Sequence, residues 1–179
     1  MSIIETPRLI LCPWRSSDAE SLYEYASDPR VGPPAGWPVH TSVENSREII
    51  HNVLSAEGSF AVTLKGEGRA IGSAGFVPPS ATDAPGNVEI GYWIGVPYWG
   101  QGLIPEAVRE LIRLAFSRSG FDHIWCAHYE GNHKSRRVIE KCGFRYIFQR
   151  EEDVPLLGER RNTLFYRMDR EDYEAEERT

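Results

Sequence analysis

Apolar residues along the chain follow two spacings, and each predicts its own element. Short, nearly continuous apolar runs of strand length cover residues 8–14, 60–64, 69–77, 87–96 and 123–128. The first leads into the capping cluster Ser16-Ser-Asp18, which predicts a strand feeding a helix of about ten residues, with Pro13 at an edge strand or strand end. Helical spacing follows the capping-box pattern Thr41-Ser-Val-Glu44, where Val43, Arg47, Ile50 and Leu54 share a face up to Gly58. It returns at Ile104, Val108, Leu111, Ile112 and Ala115, predicting a helix over 102–116. Between residues 31 and 40 Gly and Pro crowd together and neither spacing survives, so a shaped loop is expected. Residues 60–64 and 69–77 flank the turn Lys65-Gly-Glu-Gly68 and read as a hairpin, with 78–86 a loop. Beyond Gly120 come the buried strand 123–128, a helix capped by Asn132 and running to Lys141, Gly143 as its left-handed stop, and closing strands at 144–148 and 163–168. Strands first, then strand, helix, strand, helix, strand predict one α/β domain, α+β by some schemes, on a mixed sheet.

Composition narrows the class of function. The 179 residues are 41% hydrophobic and 26% charged, which fits one globular domain and excludes disordered and fibrous chains. The net charge of −6 is uneven, because residues 169–179 hold six acids against two arginines. The expected organisation is therefore a nearly neutral domain over 1–168 and an acidic tail over 169–179. Such a body lacks the positive field that nucleic acid requires, and the tail repels phosphates and anionic membranes, so neither is an expected partner. The longest charge-free stretch, 90–105, is sixteen residues broken by Gly and Pro, too short to span a bilayer. Met1-Ser-Ile-Ile-Glu5 lacks the basic and apolar parts of a signal peptide, so a cytoplasmic location is expected. Cys12, Cys126 and Cys142 are an odd set without a Cys-x-x-Cys pair and read as reduced thiols. Cys126 and His128, with His123 and His133 nearby, match no standard zinc spacing, and no metal is expected.

The segment richest in chemistry is Gly91-Tyr-Trp-Ile-Gly-Val-Pro-Tyr-Trp-Gly-Gln-Gly-Leu-Ile-Pro-Glu-Ala107. Gly100 and Gly102 allow backbone to approach a ligand, and the helix that follows turns unpaired N–H groups and a positive dipole end toward it. That combination suits pyrophosphate, and Pro105 is tolerated in the first turn because its missing N–H would have been unpaired. A tight strand-to-helix turn without a ligand is the plainer alternative. The dinucleotide fingerprint fails, because its third Gly falls at Pro105 and Asp122 precedes its strand. Phosphate-loop and nucleophile-elbow patterns are missing too.

From about Thr6 to Met168 the chain resembles the GNAT superfamily of acyl-CoA-dependent N-acetyltransferases, in its RimJ/RimL-like branch. Thr6-Pro-Arg-Leu-Ile-Leu resembles the opening strand, Glu89-Ile-Gly-Tyr-Trp-Ile the central strand, and Tyr98-Trp-Gly-Gln-Gly-Leu-Ile-Pro-Glu-Ala107 the pyrophosphate loop and its helix. Asn132-His-Lys-Ser135 and Glu140-Lys-Cys-Gly-Phe144 match the branch signature. Pro97 stands where the loop pattern begins with Gln or Arg, and Ile139 stands where a Tyr is often found.

The resemblance implies a twisted sheet, splayed where acetyl-CoA enters and flanked by helices, and transfer of acetyl from acetyl-CoA to a primary amine. That amine would be a protein N-terminal α-amine or a small molecule. Backbone amides around Ile94, Gly95 and Val96 would hold the pantetheine arm and polarise the carbonyl. The loop Trp99, Gly100, Gln101, Gly102 and Leu103 would hold the pyrophosphate, and the Asn132 side-chain amide would suit the pantetheine amides or cap its helix. Lys134, Arg136, Arg137 and Lys141 would meet CoA phosphates or solvent. Ser135 would assist the leaving thiolate. Glu89, on a strand face with Gly91, Trp93 and Gly95, is the candidate base, and a surface ion-pair role is its alternative. His40 is the reserve base, and Trp37 and Tyr129 would line the amine pocket. The competing reading from another class is a catalytically silent acyl-CoA-binding sensor or partner module. A homodimer stays open.

Overall fold

The computed structural model describes residues 3–117 and 120–177. Its strands are β1 (Ile4–Glu5), β2 (Leu9–Cys12), β3 (Ser59–Leu64), β4 (Ala70–Val77), β5 (Asn87–Ile94), β6 (His123–Tyr129), β7 (Arg145–Val154) and β8 (Glu159–Asp169). Its helices are α1 (Ala19–Ala26), α2 (Gly32–Ala35), α3 (Val43–Ile49), α4 (Leu103–Ser117), α5 (His133–Lys141) and α6 (Arg170–Glu177). Among the described residues the strands make one open sheet of eight in the order β1-β2-β3-β4-β5-β6-β8-β7. Every neighbouring pair is antiparallel except β5 with β6. The mixed α/β architecture expected from the sequence is the one observed.

The two faces of the sheet have separate cores. Leu9, Leu11, Val62, Ile71, Ile90 and Ile124 pack against Leu103, Val108, Leu111 and Ile112 of α4 and Ile139 of α5. On the opposite face Ala61 and Ala70 pack with Trp14, Leu22, Ala26 and Ile50 beneath α1 and α3. The helical spacing of α4 is what fills the first core, at about 2 kcal/mol for each fully buried Leu or Ile.

Four stretches differ from the sequence pattern. The loop at 31–40 contains α2, a single turn in which prolines at its start cost little because their missing donors would be unpaired. Gly36, at φ 95°, ends it. Beyond Ile49, α3 widens into a π turn over Ile50–Leu54. The closing strands are longer than expected and form the hairpin β7–β8, whose outer half is held by charges, with Arg160 beside Glu151 (3.5 Å) and Asp153 (3.2 Å). The expected acidic tail continues from β8 into α6. Tyr173 there packs on Phe116 at 5.1 Å between ring centroids, and Arg170 donates to the carbonyls of Phe116 (2.6 Å) and Phe121 (2.5 Å). Residues 1–2 of the expected domain and 178–179 of the expected tail lie outside the described residues. No described helix is long and apolar enough to cross a membrane.

The feature that positions the site is the short seam between β5 and β6. Among the described residues its ladder contains only Asn87↔His123, Val88↔Ile124 and Glu89↔Trp125. Past it β5 stays on β4 as far as Ile94 and β6 stays on β8 as far as Tyr129, so the two strands part into a wedge with Glu89 at its vertex.

Candidate active site

The wedge is walled by backbone whose hydrogen-bonding phase can be read. Gly95 N–H donates to the Ile71 carbonyl at 2.8 Å, which fixes the antiparallel ladder between β4 and β5. Glu89, Gly91 and Trp93 then exchange bonds with β4, and the amides of Tyr92 and Ile94 turn toward β6, into the wedge. Of the amides expected to hold pantetheine, Ile94 thus faces the gap, whereas Gly95 is engaged with Ile71. Gly95 is required for another reason: a Cβ there would lie 2.6 Å from the Tyr25 ring. Val96 begins the tight turn Val96–Tyr98 that leads out of the strand.

At the wide end, Gly100 (φ 74°) and Gly102 (φ 73°) hold the loop before α4 in left-handed conformations. A Cβ on Gly100 would meet open space and one on Gly102 only Arg8 Nη2 at 3.7 Å, so backbone conformation, rather than crowding, demands glycine. Arg8 braces the loop from outside, donating to the carbonyls of Gln101 (2.9 Å) and Gly102 (3.2 Å). Its Nε pairs with Glu106 at 2.7 Å, and Glu106 also accepts from Thr6 Oγ1 (2.6 Å) and the Arg8 amide (2.8 Å). Burial alone would raise the Glu106 carboxyl, but these bonds prevail and hold it below the usual range. With its carbonyls tied back to Arg8, the loop can present N–H groups at the start of α4 to an anion. Gln101 donates to the Pro97 carbonyl (3.0 Å), and Leu103 is buried in the core. Trp99 Nε1 donates to the Ile94 carbonyl (2.9 Å), and Lys134 Nζ lies 3.5 Å above the Trp99 ring, placing a cation beside the loop.

Helix α5 faces the wedge with its first turn. Asn132 is its cap: Oδ1 accepts from the Ser135 amide (3.2 Å) and Nδ2 donates to the Pro34 carbonyl (3.2 Å). Both ends of the amide are thereby used within the protein, which is the capping role expected as the alternative. Ser135 Oγ lies 2.9 Å from Tyr92 Oη, and that phenol oxygen is also 3.1 Å from the Ser135 carbonyl. Burial pushes the Tyr92 phenol well above its ordinary value.

The other face of β5 carries Glu89. Its Oε2 accepts from the backbone and the hydroxyl of Ser80, both at 2.8 Å. Ser80 is itself fixed by Arg150, which donates to its carbonyl at 2.7 Å and pairs with Glu152 at 2.8 Å. Burial raises the Glu89 carboxyl and the two Ser80 bonds partly offset the rise. Trp93, on the same strand face, meets Trp37 edge-on at 5.8 Å and stacks on Trp14 at 6.4 Å. Tyr129 reaches α2, where a Cβ on Gly36 would lie 2.7 Å from its hydroxyl, and it carries the Arg161 guanidinium at 5.1 Å. His40 does not reach this space: it is 8% exposed, its ring packs 5.4 Å from that of Trp37, and Nδ1 lies 2.8 Å from Ser46 Oγ. Desolvation lowers its pKa, as for a histidine packed into the core.

The chain matches the family described as "Acetyltransferase (GNAT) domain" over residues 8–145. It belongs to the GNAT acetyltransferase family. An uncharacterised N-acetyltransferase of Bacillus licheniformis, p20, is 31% identical over 150 residues, covering 81% of this chain and 83% of that protein. The GNAT acetyltransferase of Bacillus anthracis superposes with a TM-score of 0.82 at 24% identity, over 95% of this chain and 99% of its own. The ribosomal-protein-S5-alanine acetyltransferase of Vibrio fischeri superposes with a TM-score of 0.75 at 21% identity, over 97% and 99%. The GNAT resemblance read from the sequence is the one the family match bears out.

GNAT proteins use acetyl-CoA, and this chain's wedge has groups suited to each part of it. The braced loop and Lys134 would suit the phosphates and the inward amides of β5 the arm, while Glu89 and Tyr92, which meets Ser135 of α5, stand on opposite faces of β5. Tyr92, Arg8 and Ser80 were missing from the sequence-based set. Arg8 was within the motif that marked the opening strand, and Tyr92 was the one hydroxyl on the strand face opposite Glu89.

Proposed function

We propose that the protein transfers the acetyl group of acetyl-CoA to a primary amine in the cytoplasm, with a protein N-terminal α-amine as first candidate and a small-molecule amine as the alternative. The observation that carries this reading is Glu89 at the vertex of the wedge, its Oε2 tied to Ser80 and its Oε1 left as the oxygen to receive an amine proton. An α-amine with a pKa near 8 is partly neutral at pH 7, so one carboxylate with a water relay suffices, whereas a lysine near 10.4 asks more of the base. The name of the Vibrio fischeri neighbour supports the same choice.

In the reaction the amine lone pair attacks the thioester carbonyl, the C–N bond forms, and the C–S bond breaks with its electron pair on sulfur. The inward β5 amides would stabilise the oxyanion, Glu89 would take the amine proton, and Ser135 would donate a hydrogen bond to the departing sulfur. Trp37, Trp93 and Tyr129 would wall the acceptor side. A thiol-release assay with acetyl-CoA over peptides with free N-termini and small amines tests this. Turnover on free N-termini that is lost when the same peptides are N-blocked is the expected result. Acetyl-CoA binding with no turnover on any amine would replace the proposal with the silent-module reading.

A further inference from the structure

Helix α5 has Ile139, fully buried, at the position where the resemblance places a tyrosine, yet a phenol reaches Ser135, one turn earlier, from the sheet. Tyr92 Oη lies within reach of both oxygens of Ser135, at 2.9 Å from Oγ and 3.1 Å from the carbonyl. A phenol has one proton, so the pair has two arrangements. If Tyr92 donates to the carbonyl, it accepts from Ser135 and turns the serine proton inward. If Tyr92 donates to Oγ, the serine O–H is turned outward to the wedge. We propose that Tyr92 is a positioning residue for Ser135, donating to Oγ so that the serine O–H points to the sulfur of acetyl-CoA as the C–S bond breaks.

This inference rests on the proposed role of Ser135. Tyr92 keeps its proton throughout, because its buried phenolate would be poorly solvated. The sulfur departs with the bonding electron pair, stabilised by the hydrogen bond from Ser135, and takes its proton from water, while the amine proton leaves through Glu89. Tyr92 and Ser135 end as they began.

Tyr92→Phe keeps the ring and removes the hydroxyl. The expected result is a fall in kcat of about tenfold, a smaller effect than the hundredfold typical of a group acting directly on the reacting atoms, with acetyl-CoA affinity by calorimetry unchanged. In Ser135→Ala the same change should have no further effect, so that the double variant matches Ser135→Ala. Wild-type kcat in Tyr92→Phe, losses that multiply in the double variant, or a loss confined to acetyl-CoA binding would each overturn the inference. If Ser135→Ala slows transfer and Tyr92→Phe does not, only the positioning role fails. If Ser135→Ala has no effect, the donor role fails and this inference with it. Melting curves establish that the variants are folded. Should Tyr92→Phe not fold, site-specific 3-fluorotyrosine at position 92, a stronger donor of the same shape, takes its place. Its kcat should equal or exceed wild type, and a lower kcat would overturn the proposal.

Discussion

At the scale of single residues the site depends on neighbours that set ionisation and direction. Glu89 shows this most clearly, since burial raises its carboxyl while Ser80 works against the rise. Removing the Ser80 hydroxyl withdraws one of the two bonds that favour the carboxylate, so Ser80→Ala should move the acid limb of kcat/KM to higher pH and leave the plateau nearly unchanged. A full pH profile reads both. The same shift has a sign for stability. A carboxyl raised in the folded state contributes stability at pH below its unfolded value and loses it as pH rises through the folded value. Glu89→Gln should therefore be at least as stable as wild type at pH 7, with the difference vanishing in acid, while turnover falls on the order of a hundredfold. Thermal melts at pH 4 and pH 7 beside rate measurements check it. The places of Glu89 and Ser135 were legible in the sequence because strand alternation and a cap fix them. Ser80 and Tyr92 were not, because a hydroxyl becomes a partner only when separate segments converge, and no spacing along the chain encodes the fold of the loop 78–86 onto β5.

At the scale of elements, the loop before α4 combines two left-handed glycines with the brace from Arg8. A left-handed conformation costs a residue with a side chain about 1–2 kcal/mol, and the space around both glycines means that an added methyl would not clash. Gly100→Ala and Gly102→Ala should thus weaken acetyl-CoA by roughly tenfold each through backbone strain alone. Arg8→Ala should weaken it less, about fivefold, because Arg8 is half exposed and solvent replaces part of what is lost. Isothermal titration of the three variants separates strain from bracing, and equal affinity in all three would exclude this loop as the phosphate site. Element lengths were legible where apolar residues set the period, as in α4, whose spacing matched over its whole length. They were obscured where charges hold a strand. The outer part of β7 is acidic (Glu151, Glu152, Asp153) and faces Arg160 and Arg161 of β8, so cross-strand ion pairs stabilise a hairpin that hydropathy leaves blank. In α2 the Pro-Pro pair hid a single helical turn.

At the scale of the whole molecule, the wedge has to stay open between two halves of the sheet that, among the described residues, share a ladder of three residue pairs. A second connection crosses above it. The α2 segment, rooted in the half of the chain before β5, is fastened to the other half by three groups: Arg161 Nη1 donates to the Pro33 carbonyl at 2.7 Å, Asn132 Nδ2 to that of Pro34 at 3.2 Å, and the Tyr129 hydroxyl packs against Gly36. The strap lies on the side of Trp37 and Trp93, away from the phosphate loop, so loosening it should disturb the acceptor more than the donor. Arg161 also stacks on Tyr129, which makes it the fastening that joins strap, β6 and hairpin. Arg161→Ala should raise KM for the amine by about tenfold, in line with the loss of a charge-assisted bond and its stacking, and leave the dissociation constant of acetyl-CoA within about twofold. Asn132→Ala loses a strap bond and the α5 cap together, so it should lower stability by about 1 kcal/mol besides raising the same KM. Steady-state kinetics with amine and acetyl-CoA varied independently distinguish the two substrates. A rise in KM for acetyl-CoA alone would mean that the strap serves the donor arm, and the acceptor would then have to enter from the hairpin side of Glu89.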